Sequence, residues 1–119
     1  MSKRKKLKMI KVEKNEIRVI EIEDKLENLQ KEVGGYIECV DIFDHITLIC
    51  NEEGKILQLP INLILSDRGK YIDAIAGDFL ICGDDHKGNF ISLTDNEIET
   101  FLNNKKFTYL RLLDVNNED

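Results

Sequence analysis

The feature that most constrains this chain is a series of short β-branched and aliphatic runs, each closed by a polar or glycine-containing turn. Such runs, about four to eight residues long, read as strands when turn residues bound them. Met9, Ile10 and Val12, then Ile17, Val19, Ile20 and Ile22, lie around Lys14-Asn15 and predict two strands joined by a polar turn. Tyr36 to Ile42 and Ile46 to Cys50 predict a tight hairpin with Asp44 and His45 in its loop, which sets Phe43 opposite Ile46 and Cys39 opposite Cys50. Asn51-Glu52-Glu53-Gly54 predicts the next turn, and Lys55 to Leu59 a returning strand that completes an antiparallel meander. Tyr71 to Ala76, Asp78 to Cys82 and Asn89 to Leu93 supply further strands, the last two flanking a loop from Gly83 to Gly88.

Two segments change period. Asp24 with Glu27 three residues on forms a capping pattern, and Leu26, Leu29 and Val33 share a helical face, so a helix is expected over residues 24 to 33. Gly34-Gly35 ends it, because a left-handed closing residue is cheap only for glycine. Thr94 and Glu97 repeat the capping pattern ahead of Ile98, Phe101 and Leu102, and that helix ends near Asn103-Asn104. Pro60 interrupts backbone donation, and Ile61, Leu63, Ile64 and Leu65 alternate poorly, so a short helix or irregular crossing is expected there, followed by a polar loop from Ser66 to Lys70. The fold class is α+β: a mostly antiparallel β-sheet of meander and hairpins with two short helices packed on it. Residues 1–8 read as a disordered basic tail, 9–115 as one α+β domain and 116–119 as an acidic tail. Tyr109, Leu110, Leu112, Leu113 and Val115 are too apolar to stay in water and predict a last strand or the interface of a homo-oligomer, most simply a twofold dimer.

At 119 residues, 42% hydrophobic and 34% charged, the chain can build one core and is too short for two. No stretch approaches the roughly 18 apolar residues of a membrane span, and no signal-peptide core follows the basic N-terminus. A cytoplasmic protein without a membrane partner is expected. Cys39, Cys50 and Cys82 are odd in number and sit in apolar runs, as buried thiols do in a reducing compartment. Setting aside the positive charges of Lys3, Arg4, Lys5, Lys6 and Lys8, a net charge of −6 becomes about −11 for the remainder. A body so acidic repels a phosphate backbone and leaves nucleic acid only the basic tail to bind.

Candidate chemistry is sparse. His45 and His86 lack partners at helical ligand spacing and no two cysteines are two to four residues apart, so neither a metal nor a cofactor is expected. Cys82 and His86 flank one loop, but a buried strand disfavours the thiolate. Asp84 and Asp85 beside Gly83 are turn formers before they are an acid–base pair. No catalytic set stands out. Gly34-Gly35 exposes amides that can hold an anion, although helix termination is the commoner use of such a pair. Ser66, Arg68 and Lys70 form the best local anion site, with Arg68 able to make a two-pronged bond to phosphate. Asn51 and Asn62 flank a turn and a proline, where a side-chain amide can read a base or sugar edge or else satisfy local backbone.

The segments Val33-Gly34-Gly35-Tyr36-Ile37-Glu38, Asn51-Glu52-Glu53-Gly54-Lys55, Leu59-Pro60 with Asn62, Gly77-Asp78 and Ile91-Ser92-Leu93-Thr94-Asp95 together resemble the family known as domain of unknown function 3846. The resemblance runs from about Ile22 to Leu102. It implies a small protein of bacteriophages and mobile elements of Firmicutes-like bacteria, and it brings no catalytic residue. The chain departs from the pattern at Ile61, often polar or proline, and in its basic head and apolar C-terminal segment. By analogy with phage proteins aimed at their host, the expected function is non-catalytic capture of a small phosphate-bearing, nucleotide-like ligand, such as a host antiviral immune signal, in the host cytoplasm. An acidic protein that binds and inhibits a host protein is the alternative, and a small enzyme acting on a nucleotide is a second.

Overall fold

Pairing of neighbouring apolar runs builds most of the fold in the computed structural model, which describes residues 6–14, 16–43, 45–67, 70–103 and 113–114. In chain order these form β1 (Lys6–Glu13), β2 (Glu16–Glu23), α1 (Leu26–Val33), β3 (Ile37–Phe43), β4 (Ile46–Asn51), β5 (Ile61–Asp67), β6 (Lys70–Ala76), β7 (Phe79–Asp84), β8 (Phe90–Ile91), α2 (Asp95–Asn103) and β9 (Leu113–Asp114). The larger sheet runs β2-β1-β7-β4-β3, with β8 pairing β7, and all of its pairs are antiparallel. The smaller sheet runs β6-β5-β9, antiparallel in its hairpin and parallel at β9. The fold is α+β, mostly antiparallel, with two helices.

The core lies on both faces of the larger sheet. On one face Leu7, Met9, Ile49, Leu80 and Cys82 pack under Leu29 and Val33 of α1. On the other, Ile10, Leu48, Phe79 and Ile81 meet Leu63, Leu65 and Ile75 of the β5–β6 hairpin and Ile98 of α2. Cover on both faces is why β4 and β7 carry continuous apolar runs instead of alternating ones.

Local signals survive folding well. Gly34 is left-handed at φ +83°, and the N–H groups of Gly34 and Gly35 both donate to the Gln30 carbonyl, at 2.8 and 3.0 Å. Thr94 and Glu97 close a reciprocal capping box: the Thr94 N–H donates to Glu97 Oε1 at 2.9 Å, and the Glu97 N–H to Thr94 Oγ1 at 3.1 Å.

Other expectations are corrected. β1 begins at Lys6 and buries Leu7, so residues 6–8 belong to the sheet and not to a disordered tail. Asp24 does not cap α1; Lys25 is the cap residue, without a side-chain bond, and Asn28 Nδ2 instead donates to the Glu23 carbonyl at 3.1 Å. Phe43 faces Ile46 as expected, but a bulge at Ile42 slides the rest of β3 by one residue, so Cys39 lies opposite Ile49 and Cys50 opposite Glu38. Residues 52–58 turn on themselves and contain no returning strand. The segment after Pro60 is strand β5, whose Leu63 and Leu65 point into the core; Pro60 stands just ahead of it, where a missing N–H costs no ladder bond. The polar loop is shorter than expected, since Ser66 ends in β5 opposite Tyr71 and Lys70 opens β6. Of the apolar C-terminal segment, Leu113 pairs with Leu65 in β9, while Tyr109, Leu110, Leu112 and Val115 lie outside the described residues. Residues 1–5 and 116–119 lie outside them too. No described helix is long and apolar enough to cross a membrane.

Candidate functional site

Where α1 ends, four segments converge on a cleft of about 420 Å³. The last turn of α1 brings Lys31, Glu32 and Val33 to its rim. Lys11 enters from β1, on the face that packs against α1, and Asp78 from the turn between β6 and β7. The turn after β4 contributes Leu57 and Leu59, with Pro60 behind them. Val33, Leu57, Leu59 and Pro60 are the apolar residues of its lining, and Lys11, Lys31, Glu32 and Asp78 the charged ones.

Two glycines hold this arrangement. Gly77, at φ +88°, lies so close to Leu59 that a Cβ there would stand 2.7 Å from Leu59 Cδ1. A Cβ on Gly54 would meet the Ala76 carbonyl oxygen at 2.5 Å, so the turn is pressed onto the end of β6. Lys55, in the same turn, pairs with Asp73 of β6.

The charged lining is unevenly satisfied. Lys11 Nζ lies 3.0 Å from Glu32 Oε1 and 4.0 Å from Glu13 Oε2, and its side chain is only 12% exposed. That cation is committed to its carboxylates. Among the described residues none pairs with Lys31 or donates to the Asp78 carboxylate. Burial pushes the Asp78 carboxyl above its ordinary range; Glu13 and Glu32 add to the rise, while Lys11 and Arg18 oppose it.

The residues expected to form the site are not gathered here. Asn51 borders the cleft but is 5% exposed; its Nδ2 donates to the Val33 carbonyl at 3.2 Å and its Oδ1 accepts from the Glu53 N–H at 2.7 Å. Asn62 Nδ2 donates to the carbonyls of Val12 and Gly77, at 3.0 and 3.1 Å, tying the two sheets together. Both amides therefore serve backbone carbonyls that folding brings to them. Lys70 begins β6 and is exposed, and Ser66 lies four residues beyond Asn62 in β5, roughly 13 Å along the strand. Arg68 lies outside the described residues. The Gly34 and Gly35 amides, spent on Gln30, do not form an anion cradle. Lys11, Lys31, Glu32 and Asp78 escaped the sequence because three separate segments bring them together; only Gly77-Asp78 carried a signal, as part of the family resemblance.

The nucleophile readings find no support in the geometry. All three cysteines are free thiols, and burial pushes Cys50 and Cys82 up to about 12. Cys39 is exposed, not buried as expected, because β3 is the edge strand of its sheet. His86 Nδ1 faces Asp84 Oδ1 at 3.4 Å. His45 Nε2 lies 2.6 Å from Glu97 Oε2 and so braces the α2 cap from the β3–β4 hairpin. Asp85 Oδ1 accepts from the N–H groups of Lys87 and Asn89, at 2.7 and 3.1 Å, as a turn former does. Among the described residues no group of three or more His, Cys, Asp and Glu is placed to hold a metal ion.

The family described as Domain of unknown function (DUF3846) matches residues 6–106, most of the chain, and the chain belongs to that family. No curated protein and no solved structure matches it.

Proposed function

We propose that this member of the family is a phage or mobile-element protein that holds a small nucleotide-like ligand in the cleft at the end of α1, without transforming it, and so withdraws a host signal. The observation that carries this reading is that one cleft is lined both by the apolar Leu57, Leu59 and Pro60 and by the charged Lys31 and Asp78. An apolar wall suits the face of a base, a carboxylate accepts hydrogen bonds from sugar hydroxyls, and a lysine offers a point charge to phosphate. The volume of about 420 Å³ falls in the range of roughly 300–1,000 Å³ usual for small-molecule sites. Thiols held protonated near pH 7 favour binding over nucleophilic turnover.

The test is to incubate the protein with a nucleotide mixture, separate it, denature it and analyse what is released. Recovery of an unaltered nucleotide is the expected result. An altered one points to an enzyme. No depletion of the mixture overturns capture and favours the second reading, inhibition of a host protein, which draws on the 80% exposure of Ile56 and the 54% exposure of Leu57 in an otherwise acidic protein.

A further inference from the structure

Resting on that reading, we infer that the cleft selects a nucleotide with a single phosphate group, held by Lys31, and that Asp78 receives the sugar hydroxyls. Charge is the reason. Of the two cations in the cleft, Lys11 is nearly buried and already engaged by Glu32 and Glu13, which leaves Lys31 as the cation to meet an incoming anion. Glu32, Asp78 and the nearby Glu13 oppose any further negative charge, and the chain as a whole carries −6. A triphosphate, with about four negative charges, would meet more repulsion than one lysine offsets.

Asp78 is the complementary feature. Its carboxylate lies partly desolvated in the cleft with no donor among the described residues, and an acceptor so placed is stabilised by a ligand that brings hydroxyl donors. A sugar diol brings two. Glu32, its neighbour in the cleft, already receives Lys11 and is the weaker candidate. Replacing Asp78 by asparagine keeps its shape and removes a charge that burial disfavours, so the fold is expected to tolerate the change.

Isothermal titration of the full chain with adenosine, AMP, 2′-deoxy-AMP, ADP and ATP, and with the matching guanosine series, reads both contacts. The expected order in one series is monophosphate tightest, with the triphosphate at least about tenfold weaker. Asp78→Asn should weaken the ribose monophosphate roughly tenfold at unchanged melting temperature, as loss of a charged hydrogen bond does. It should also abolish the preference for ribose over deoxyribose. Lys31→Ala should bring the monophosphate down to the affinity of the nucleoside. A triphosphate that binds as tightly as the monophosphate, or an Asp78→Asn protein that still prefers ribose, overturns the inference while leaving capture intact. If neither series binds, capture falls and the inference with it.

Discussion

Strand β4 and the turn that follows it are both rich in aliphatic residues, yet they meet opposite fates. Every residue from Ile46 to Asn51 is buried, whereas five residues of chain later Ile56 stands 80% exposed and Leu57 54% exposed. Three aliphatic residues in each do not separate them; available edges do. β4 has β3 on one side and β7 on the other, so a strand returning from its end has no free edge of β4 to pair with. Residues 52–59 bond among themselves instead: the N–H of Leu57 donates to Glu53 at 2.8 Å, and that of Leu59 to Gly54 at 2.9 Å. Gln58 takes φ +60° within this turn, a conformation that a strand would not use. Apolar residues make a strand only where a partner backbone waits.

The comparison can be broken at either end. The largest effect is expected at Phe79 of β7, fully buried on the face that meets the β5–β6 hairpin; Phe79→Ala should cost about 3–5 kcal/mol in urea denaturation, from lost burial and the cavity left behind. A cost under about 1 kcal/mol would mean that the hairpin does not seal that face.

The boundary between strand and turn should be next in size. Asn51→Ala removes both bonds that join the end of α1 to the turn and strands the Val33 carbonyl and Glu53 N–H, at an expected cost of about 1–3 kcal/mol. Amide exchange should quicken at Glu53 and at the end of α1. Unchanged melting and exchange would show that the turn holds itself in place without Asn51.

The smallest effect belongs to the tip of the turn. Ile56→Ser should move stability by less than about 0.5 kcal/mol, as exposed substitutions do. A concentration-dependent loss of more than about 1 kcal/mol would sharpen the contrast differently, because it would mean that a second copy of the chain covers Ile56 in solution.

The distance over which each signal acts explains what could be read in advance. The Thr94–Glu97 box spans four residues and Gly34 closes its own helix, so both were legible in the residues themselves. The β1–β2 hairpin was equally local, pairing Glu13 with Glu16 and on to Lys6 with Glu23. Two local patterns misled. Asp24 and Glu27 have the spacing of a box, but α1 starts at Leu26 behind Lys25. Ile61 to Leu65 alternate poorly, yet β5 forms because β6 folds back on it and the larger sheet offers a face to Leu63 and Leu65.

The α2 capping box, the glycine stop of α1, the first hairpin and the buried character of the runs around Leu48 and Leu80 were determined by the sequence alone, because their partners are neighbours or their hydrophobicity leaves no alternative to burial. The bulge at Ile42, the conversion of residues 61–67 into a strand and the exposure of Ile56 were decided by tertiary structure, since each depends on which sheet edge or face is already occupied. The cleft belongs to the same class. Lys11 and Asp78 are 67 positions apart in the sequence, and Asn51 and Asn62 are drawn off to backbone carbonyls that become neighbours only on folding. A side chain's chemistry is written locally, but whether it is spent on the fold or left to a ligand depends on the groups that packing brings within about 3 Å of it.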